Sequence, residues 1–314
     1  MKVVALSGGI GGAKLALGLM HALGPRELTV VANTADDFEH LGLLVCPDLD
    51  TLLYTLGGRA DAERGWGRAG ESWGCMAALA ELGGPDWFQL GDRDLATHLL
   101  RTSRLRAGET LTAVMSDLAA RFGIAATLLP MSDDPVRTRL KTAQGWMEFQ
   151  PWFVGRRAEP AVTALDFAGA EAARPSDAVL AALADTELGA VVLCPSNPFI
   201  SIDPMLAMPW LRAALHGCRA PVIAVSPIIA GQAVKGPTAR MLAGFGLEVS
   251  ATAVARHYGE RLSGYVVDSQ DAAAAAALAP LPVRATRTLM VSLDDRIALA
   301  REVLDMARSI GPRR

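Results

Sequence analysis

Cysteine is scarce in this 314-residue sequence: only Cys46, Cys75, Cys194 and Cys218 occur, far apart and without a CxxC pair. That excludes a disulfide framework and a thiolate zinc site, and leaves reduced thiols of the kind that usually pack in cores. A charge excess is missing too. Thirty Lys and Arg stand against 33 Asp and Glu, and a net charge of -3 supplies no broad positive field to hold a nucleic-acid backbone. No stretch reaches the roughly 18 uninterrupted apolar residues of a membrane helix, because Pro, Gly, Arg or Asp breaks each run. Even the apolar N-terminus, Met1 to Leu23, is broken by Gly8, Gly9, Gly11, Gly12 and Lys14, which argues against a secretory signal. The five histidines lack an HExxH spacing. Of these, His21, His98 and His216 fall in helical stretches and read as structural, while His40 and His257 stay open. The expectation is a soluble cytoplasmic protein with small-molecule partners, no nucleic acid and no membrane.

What the sequence does contain is alternation. Lys2–Leu6 is a β-branched, apolar strand, Ser7–Gly12 a glycine loop, and Ala13–Leu23 has the Ala/Leu spacing of a helix. Leu28–Asn33 is a second strand, parallel to the first through a right-handed crossover. Strand and helix signals alternate again from Ala190–Cys194, through Met205–Leu215, Val222–Ser226, Thr238–Ala243 and Tyr265–Ser269, to a terminal helix near Asp294. The run Ala272–Ala277 is a helix by propensity alone. Between these halves amphipathic helices dominate, including Asp94–Arg106 and Glu109–Phe122, followed by a hairpin of Val136–Thr142 and Trp146–Val154. The fold class is therefore α/β: a doubly wound, Rossmann-like parallel sheet with an inserted helical and hairpin region. Residues 1–56 and 184–314 form the nucleotide-binding core, and 57–183 the insertion.

The chemistry concentrates at strand ends. Gly8, Gly9, Gly11 and Gly12, followed by Lys14, sit where backbone N–H groups and a helix N-terminus converge, an arrangement that binds phosphate. The spacing matches neither GxGxxG nor the Walker pattern, so NAD binding is disfavoured. The second strand ends in Asn33, with Asp36 and Asp37 beyond. Asp48 and Asp50, two apart in a segment expected to be extended, point to one side and can hold a hard cation against a pyrophosphate; either can instead cap the helix Thr51–Leu56. Asp92 and Arg93 are further candidates to bind the ligand; Asp92 can instead cap the helix after it, while Arg93 has no such structural excuse. Ser196, Asn197, Ser226 and Lys235 follow later strands, where a ligand crevice lies in this architecture. Trp66 and Trp73, in a Gly-rich stretch, are candidates to cover an aromatic ligand or simply to pack.

Taken together, Ser7-Gly8-Gly9-Ile10-Gly11-Gly12-Ala13-Lys14, Asn33-Thr34-Ala35-Asp36-Asp37, Pro47-Asp48-Leu49-Asp50-Thr51, Leu90-Gly91-Asp92-Arg93-Asp94, Pro130-Met131-Ser132-Asp133, Pro195-Ser196-Asn197-Pro198 and Ser226-Pro227-Ile228-Ile229 resemble the 2-phospho-L-lactate transferase family of coenzyme F420 biosynthesis, nearly end to end. The resemblance implies transfer of a phosphorylated three-carbon acid (phospholactate, phosphoenolpyruvate or phosphoglycerate) from a GDP-linked donor to the deazaflavin riboside Fo, with release of GMP and a requirement for Mg²⁺. It implies that Asp50 takes part in Fo recognition, and Gln89 stands where some members carry a substrate-contacting lysine. On this reading Asp48 and Asp50 hold the metal, and Asp36 or Asp37 is a candidate base. The insertion roofs the deazaflavin or forms the interface of a homodimer. The rival expectation is a non-catalytic nucleotide-sugar-binding regulator with a related glycine loop.

Overall fold

The structure, a computed structural model, describes residues 1–313. Seven strands form one parallel sheet: β1 (Lys2–Ser7), β2 (Leu28–Ala32), β3 (Thr127–Pro130), β4 (Leu188–Leu193), β5 (Val222–Val225), β6 (Gly264–Asp268) and β7 (Val283–Thr286), in spatial order β7-β6-β5-β4-β1-β2-β3. All six pairings are parallel. The order reverses between β4 and β1, where successive connections leave to opposite sides and a crevice opens at the carboxyl ends. The inner strands are near-continuous Val, Ala and Leu because helices cover both faces, and two apolar clusters line the two sides of the sheet. Leu15, Ala16 and Leu19 of α1 (Gly9–Ala22) are fully buried on one of these faces. At roughly 1.5–3 kcal/mol for each buried leucine, this packing fixes the helix whose N-terminus faces the crevice.

Several expected boundaries shift, each for a local reason. The glycine segment is not a free loop, since α1 begins at Gly9, directly after the strand. Asp48 and Asp50 lie in the first turn of a helix, α2 (Pro47–Leu56), and not in extended chain; Pro47 at its first position is suited to that role. The stretch Met205–Leu215 is two helices, Asp203–Ala207 and Pro209–Gly217, because Pro209 cannot continue the first. The hairpin Arg137–Thr142 with Gly145–Glu148 is present, but Pro151 ends the second arm in a π-helical turn, Pro151–Gly155. A third strand, Ala164–Ala168, pairs with Arg137–Thr142. The terminal helix Leu293–Ile310 opens with a capping box of Ser292 and Asp295. The alanine run is only one turn, Ala272–Ala275, continued as 3₁₀ helix.

The segment 57–183 carries α3 (Gly74–Glu81), α4 (Asp92–Arg106) and α5 (Leu111–Arg121), together with the three-stranded antiparallel sheet. It also supplies β3, the edge strand of the central sheet, so core and insertion are not separated cleanly at residues 57 and 184. Among the described residues no helix is long and apolar enough to cross a membrane.

Candidate active site

A cavity of about 650 Å³ opens at the carboxyl ends of the strands. Its floor is the first turn of α1. Gly9 has φ +65°, a conformation that side chains resist, and its N–H donates to Asp48 Oδ1 at 2.6 Å. Gly8 is required by space, since a Cβ there would lie 2.5 Å from Asp48 Oδ2 and 2.7 Å from Ser201 Cβ. Gly11 and Gly12 serve close packing: their Cβ atoms would meet the Pro195 carbonyl at 2.5 Å and the Ser7 hydroxyl at 2.4 Å. Gly8, Gly9 and Gly11 line the cavity; Gly12 does not.

The paired carboxylates of α2 diverge. Residues two apart on a helix are about 200° apart around its axis, so Asp48 and Asp50 face different neighbours. Asp48 accepts from Gly9 N–H and, at 2.9 Å, from the Asn33 amide, whose second hydrogen bond goes to the Ile200 carbonyl. Asn33 thus acts behind the wall, holding Asp48 in place. Asp50 accepts both arms of the Arg101 guanidinium, at 2.6 and 2.9 Å. The extended geometry behind a shared Asp48–Asp50 metal site is therefore absent.

Asp36, in contrast, lines the cavity with Asp48 and is buried. Burial, and then the charges of Asp48 and Asp37, push its carboxyl well above the ordinary range, against hydrogen bonds from Thr138 and Asn33. Burial likewise pushes Asp48 up to about 6, despite the Asn33 amide and Gly9 N–H. Neither carboxylate has a basic side chain among the groups that pull it back. Two uncompensated oxygen donors of this kind suit a hard divalent cation. Asp37 lies behind the wall and does not line the cavity; burial pushes it up to about 7.

The opposite side is basic. Lys14 donates to the Met290 carbonyl at 2.9 Å, and burial, with Arg296 and Lys235 nearby, lowers its pKa. Lys235 lies beneath the turn 61–68, where a Cβ on Gly65 would stand 2.5 Å from its Nζ. Ser196, Asn197 and Ser226 also line the cavity. Their side chains mainly build the rim: Ser196 Oγ bridges Gly8 N–H and C=O, Asn197 caps Phe199, and Ser226 closes a turn on Ile228.

Asp92 and Arg93 do not line the cavity. Asp92 accepts from Ser72 Oγ and from the N–H groups of Gly74 and Cys75, which holds its carboxyl below the ordinary range and caps α3 rather than its own helix. Arg93 is exposed, with one arm on the Ala69 carbonyl. Glu71 in turn caps α4 through the N–H groups of Arg93 and Asp94, so this turn is a reciprocal clasp between two helix ends.

The far end of the cavity is aromatic. Trp87 and Phe88, packed against Phe38 and His40 in tilted and edge-to-face pairs, form one wall, and Phe149 and Phe153 stack at 5.3 Å in another. Trp66 also lines the cavity, while Trp73 does not and packs edge to face against Trp66, each ring making a cation–π contact with Arg64. Met131 is core and takes no part. Beneath these rings lie Asp50, Tyr54, Asp94 and His98, with Gln89 at the rim. His98 reads as an ordinary helical histidine in the sequence, and Arg101 carries no local signal at all. Only the amphipathic register of α4, which sends residues 94, 98 and 101 inward together, hints at them.

The α/β fold thus gathers a glycine turn, a carboxylate pair and an aromatic bay around one cavity at the carboxyl ends of its strands, the place where this architecture holds small-molecule ligands. The model of the 2-phospho-L-lactate transferase CofD family matches residues 3–301, and the chain belongs to that family of transferases. It is 44% identical over 319 residues to a phosphoenolpyruvate transferase from Kitasatospora aureofaciens, covering 99% of both chains. It is 46% identical over 286 residues to one from Mycobacterium ulcerans, covering 85% of this chain and 86% of that one. A solved member of the upf0052 family from Bacillus halodurans shares the fold, with TM-score 0.61 and 13% identity over 96% of this chain and 98% of the other.

Proposed function

We propose that this transferase moves the phosphoenolpyruvyl group from a guanosine-diphosphate-linked donor to the primary hydroxyl of Fo, releasing GMP, in coenzyme F420 biosynthesis. The family match and the name carried by its relatives support the class of reaction. The observation that carries the reading is the division of a single cavity into a phosphate floor with two uncompensated carboxylates and an aromatic bay of a size for a flat ring system.

In this reading the donor's diphosphate lies over the α1 N-terminus, between the carboxylate pair and the Lys14–Lys235 side. Asp48 already occupies the Gly9 N–H, so a phosphate reaching that turn meets a carboxylate first, and this is why the site calls for a cation. Asp36 and Asp48 are the residues that would hold Mg²⁺, in place of the Asp48–Asp50 pair. When bound there, the ion supplies positive charge to the departing phosphate oxygen. The Fo hydroxyl attacks the phosphorus bearing the three-carbon acid, the bond to the GMP oxygen breaks, and the hydroxyl proton passes to a basic group. Lys14 and Lys235 offset the charge of the leaving GMP, and Trp66 with Phe149 and Phe153 hold the ring and shed water from the reacting end.

The reading includes a cytoplasmic location, a homodimer and Mg²⁺ dependence. It differs from a nucleotide-binding regulator in requiring turnover. Incubating the protein with donor and Mg²⁺, with and without Fo, and following GMP by chromatography separates the two: Fo-dependent GMP release supports transfer, and binding without release rejects it.

A further inference from the structure

At the aromatic end of the cavity, α2 and α4 bring together a group of polar side chains that resembles a metal site. Asp50, Asp94 and His98 can each place a ligand atom within 4.8 Å of the others; Asp50 and His98 are buried and Asp94 is half-buried. Two carboxylates and an imidazole would be a reasonable donor set for a divalent transition metal.

The hydrogen bonds argue otherwise. Arg101 is fully buried, and its Nη1 and Nη2 donate to the two oxygens of Asp50. Nη2 also lies 2.7 Å from His98 Nδ1. A guanidinium has donors only, so Nδ1 must accept, and this assigns the imidazole hydrogen to Nε2. Nε2 is buried without a hydrogen-bond partner, and its nearest carboxylate oxygen is Asp94 Oδ1 at 3.4 Å. A ring nitrogen bearing hydrogen has no lone pair to give a metal, and the Arg101 guanidinium held on both Asp50 oxygens already supplies the positive charge there and would repel a second cation. Tyr54 donates its hydroxyl to Asp94 as well. The permanent charge that balances the cluster is the arginine.

We propose that Arg101 is a built-in cation that replaces a metal at this end of the cavity: it positions Asp50 directly and sets the His98 tautomer that faces Asp94, leaving both carboxylates as hydrogen-bond acceptors for a flat aromatic ligand carrying N–H or hydroxyl donors. Calling that ligand the acceptor substrate rests on the functional reading above; the exclusion of metal does not. Arg101 touches no ligand in this scheme and is a positioning residue. Each carboxylate oxygen keeps a second lone pair, so Asp50 accepts from Arg101 and from the ligand at once. The net charge of Asp50, Asp94 and Arg101 leaves one negative charge facing the ring's donors.

The test compares the full-length wild type with Arg101→Met, Arg101→Lys and His98→Gln. Cobalt(II), added alone, is followed by its visible absorption. The wild type should show no cobalt band that His98→Gln removes, whereas Arg101→Met, with Nδ1 and both Asp50 oxygens released, should acquire one that the added His98→Gln change abolishes. In steady-state assays Arg101→Met should raise KM for Fo about tenfold to a hundredfold, as expected for loss of a charged hydrogen-bonded pair, with KM for the donor unchanged within about twofold. Arg101→Lys should recover part of the loss, since it keeps the charge but not the fork. A His98-dependent cobalt band in the wild type overturns the proposal, and this comparison needs no Arg101 variant to fold. Equal Fo and donor kinetics in wild type, Arg101→Met and Arg101→Lys overturn the positioning role. If the wild type itself fails to use Fo, the functional reading falls, while the cobalt comparison still decides whether Arg101 stands in for a metal.

Discussion

Replacing Asp37 by Asn should change how stability responds to pH. Asp37 is 3% exposed, one of its oxygens has no hydrogen-bond partner, and burial pushes its carboxyl from 3.8 up to about 7 against the pull of Cys46 and of Arg137 and Arg101. Between these values the folded protein holds a proton that the unfolded chain has released. Stability from this group is therefore greatest below the unfolded pKa and falls as pH rises toward 7. The difference of about 3 pH units corresponds to about 4 kcal/mol. For a chain of this length that is a change of about 6 °C in Tm, from about 2.1 cal/mol/K of unfolding entropy per residue. The assay is thermal unfolding of wild type and Asp37→Asn in EDTA from pH 4 to 8. The amide cannot titrate, so the variant's Tm minus that of the wild type should increase by several degrees across the range, whatever constant offset the amide introduces. A difference that stays flat with pH would refute the reasoning.

Other expectations follow from the site. Asp48→Asn and Asp36→Asn should each cut turnover by orders of magnitude and raise the Mg²⁺ concentration needed for half-maximal rate; variants with normal Mg²⁺ dependence would remove these residues from the cation site. Gly8→Ala should displace Asp48, cost about 1–3 kcal/mol of stability and weaken GMP binding by calorimetry, while Fo binding changes little; equal loss of both would point to general disruption. Trp66→Ala should raise the Fo dissociation constant more than Trp73→Ala, since only Trp66 lines the cavity. The same ranking should hold without any change in sedimentation; dissociation of an oligomer by Trp66→Ala would instead assign that loop to an interface.

The parallel sheet was legible because its strands are buried on both faces: Val3–Leu6, Val30–Ala32 and Val191–Leu193 are continuous apolar runs, separated by helical stretches. The edge strand Thr127–Pro130 escaped because it is four residues long and sits amid helices. Of the residues the sequence singles out, Gly8, Gly9, Gly11, Asp36 and Asp48 line the cavity. Asp50 also lines the cavity, but not beside Asp48 as an extended segment would place it: Pro47 begins a helix, and helical rotation sends alternate residues to opposite sides. Sequence reading assigns Asp92 and Arg93 to the ligand, although their contacts are with Ser72, Gly74, Cys75 and Ala69. The partnership of Arg101 with Asp50 spans 51 residues, and nothing in either neighbourhood announces the other. Pairings of that kind come from how α2 and α4 meet, which depends on the whole fold.

The central claim is transfer to Fo, and the most direct measurement is mass spectrometry of the product formed by the purified protein from Fo, Mg²⁺ and guanosine-diphosphate donors carrying phosphoenolpyruvate, phospholactate or phosphoglycerate. The account predicts one new phosphodiester of Fo, formed fastest from the phosphoenolpyruvate donor, with one GMP released for each product molecule. GMP released at the same rate without Fo, or no Fo adduct from any of the three donors, would contradict it.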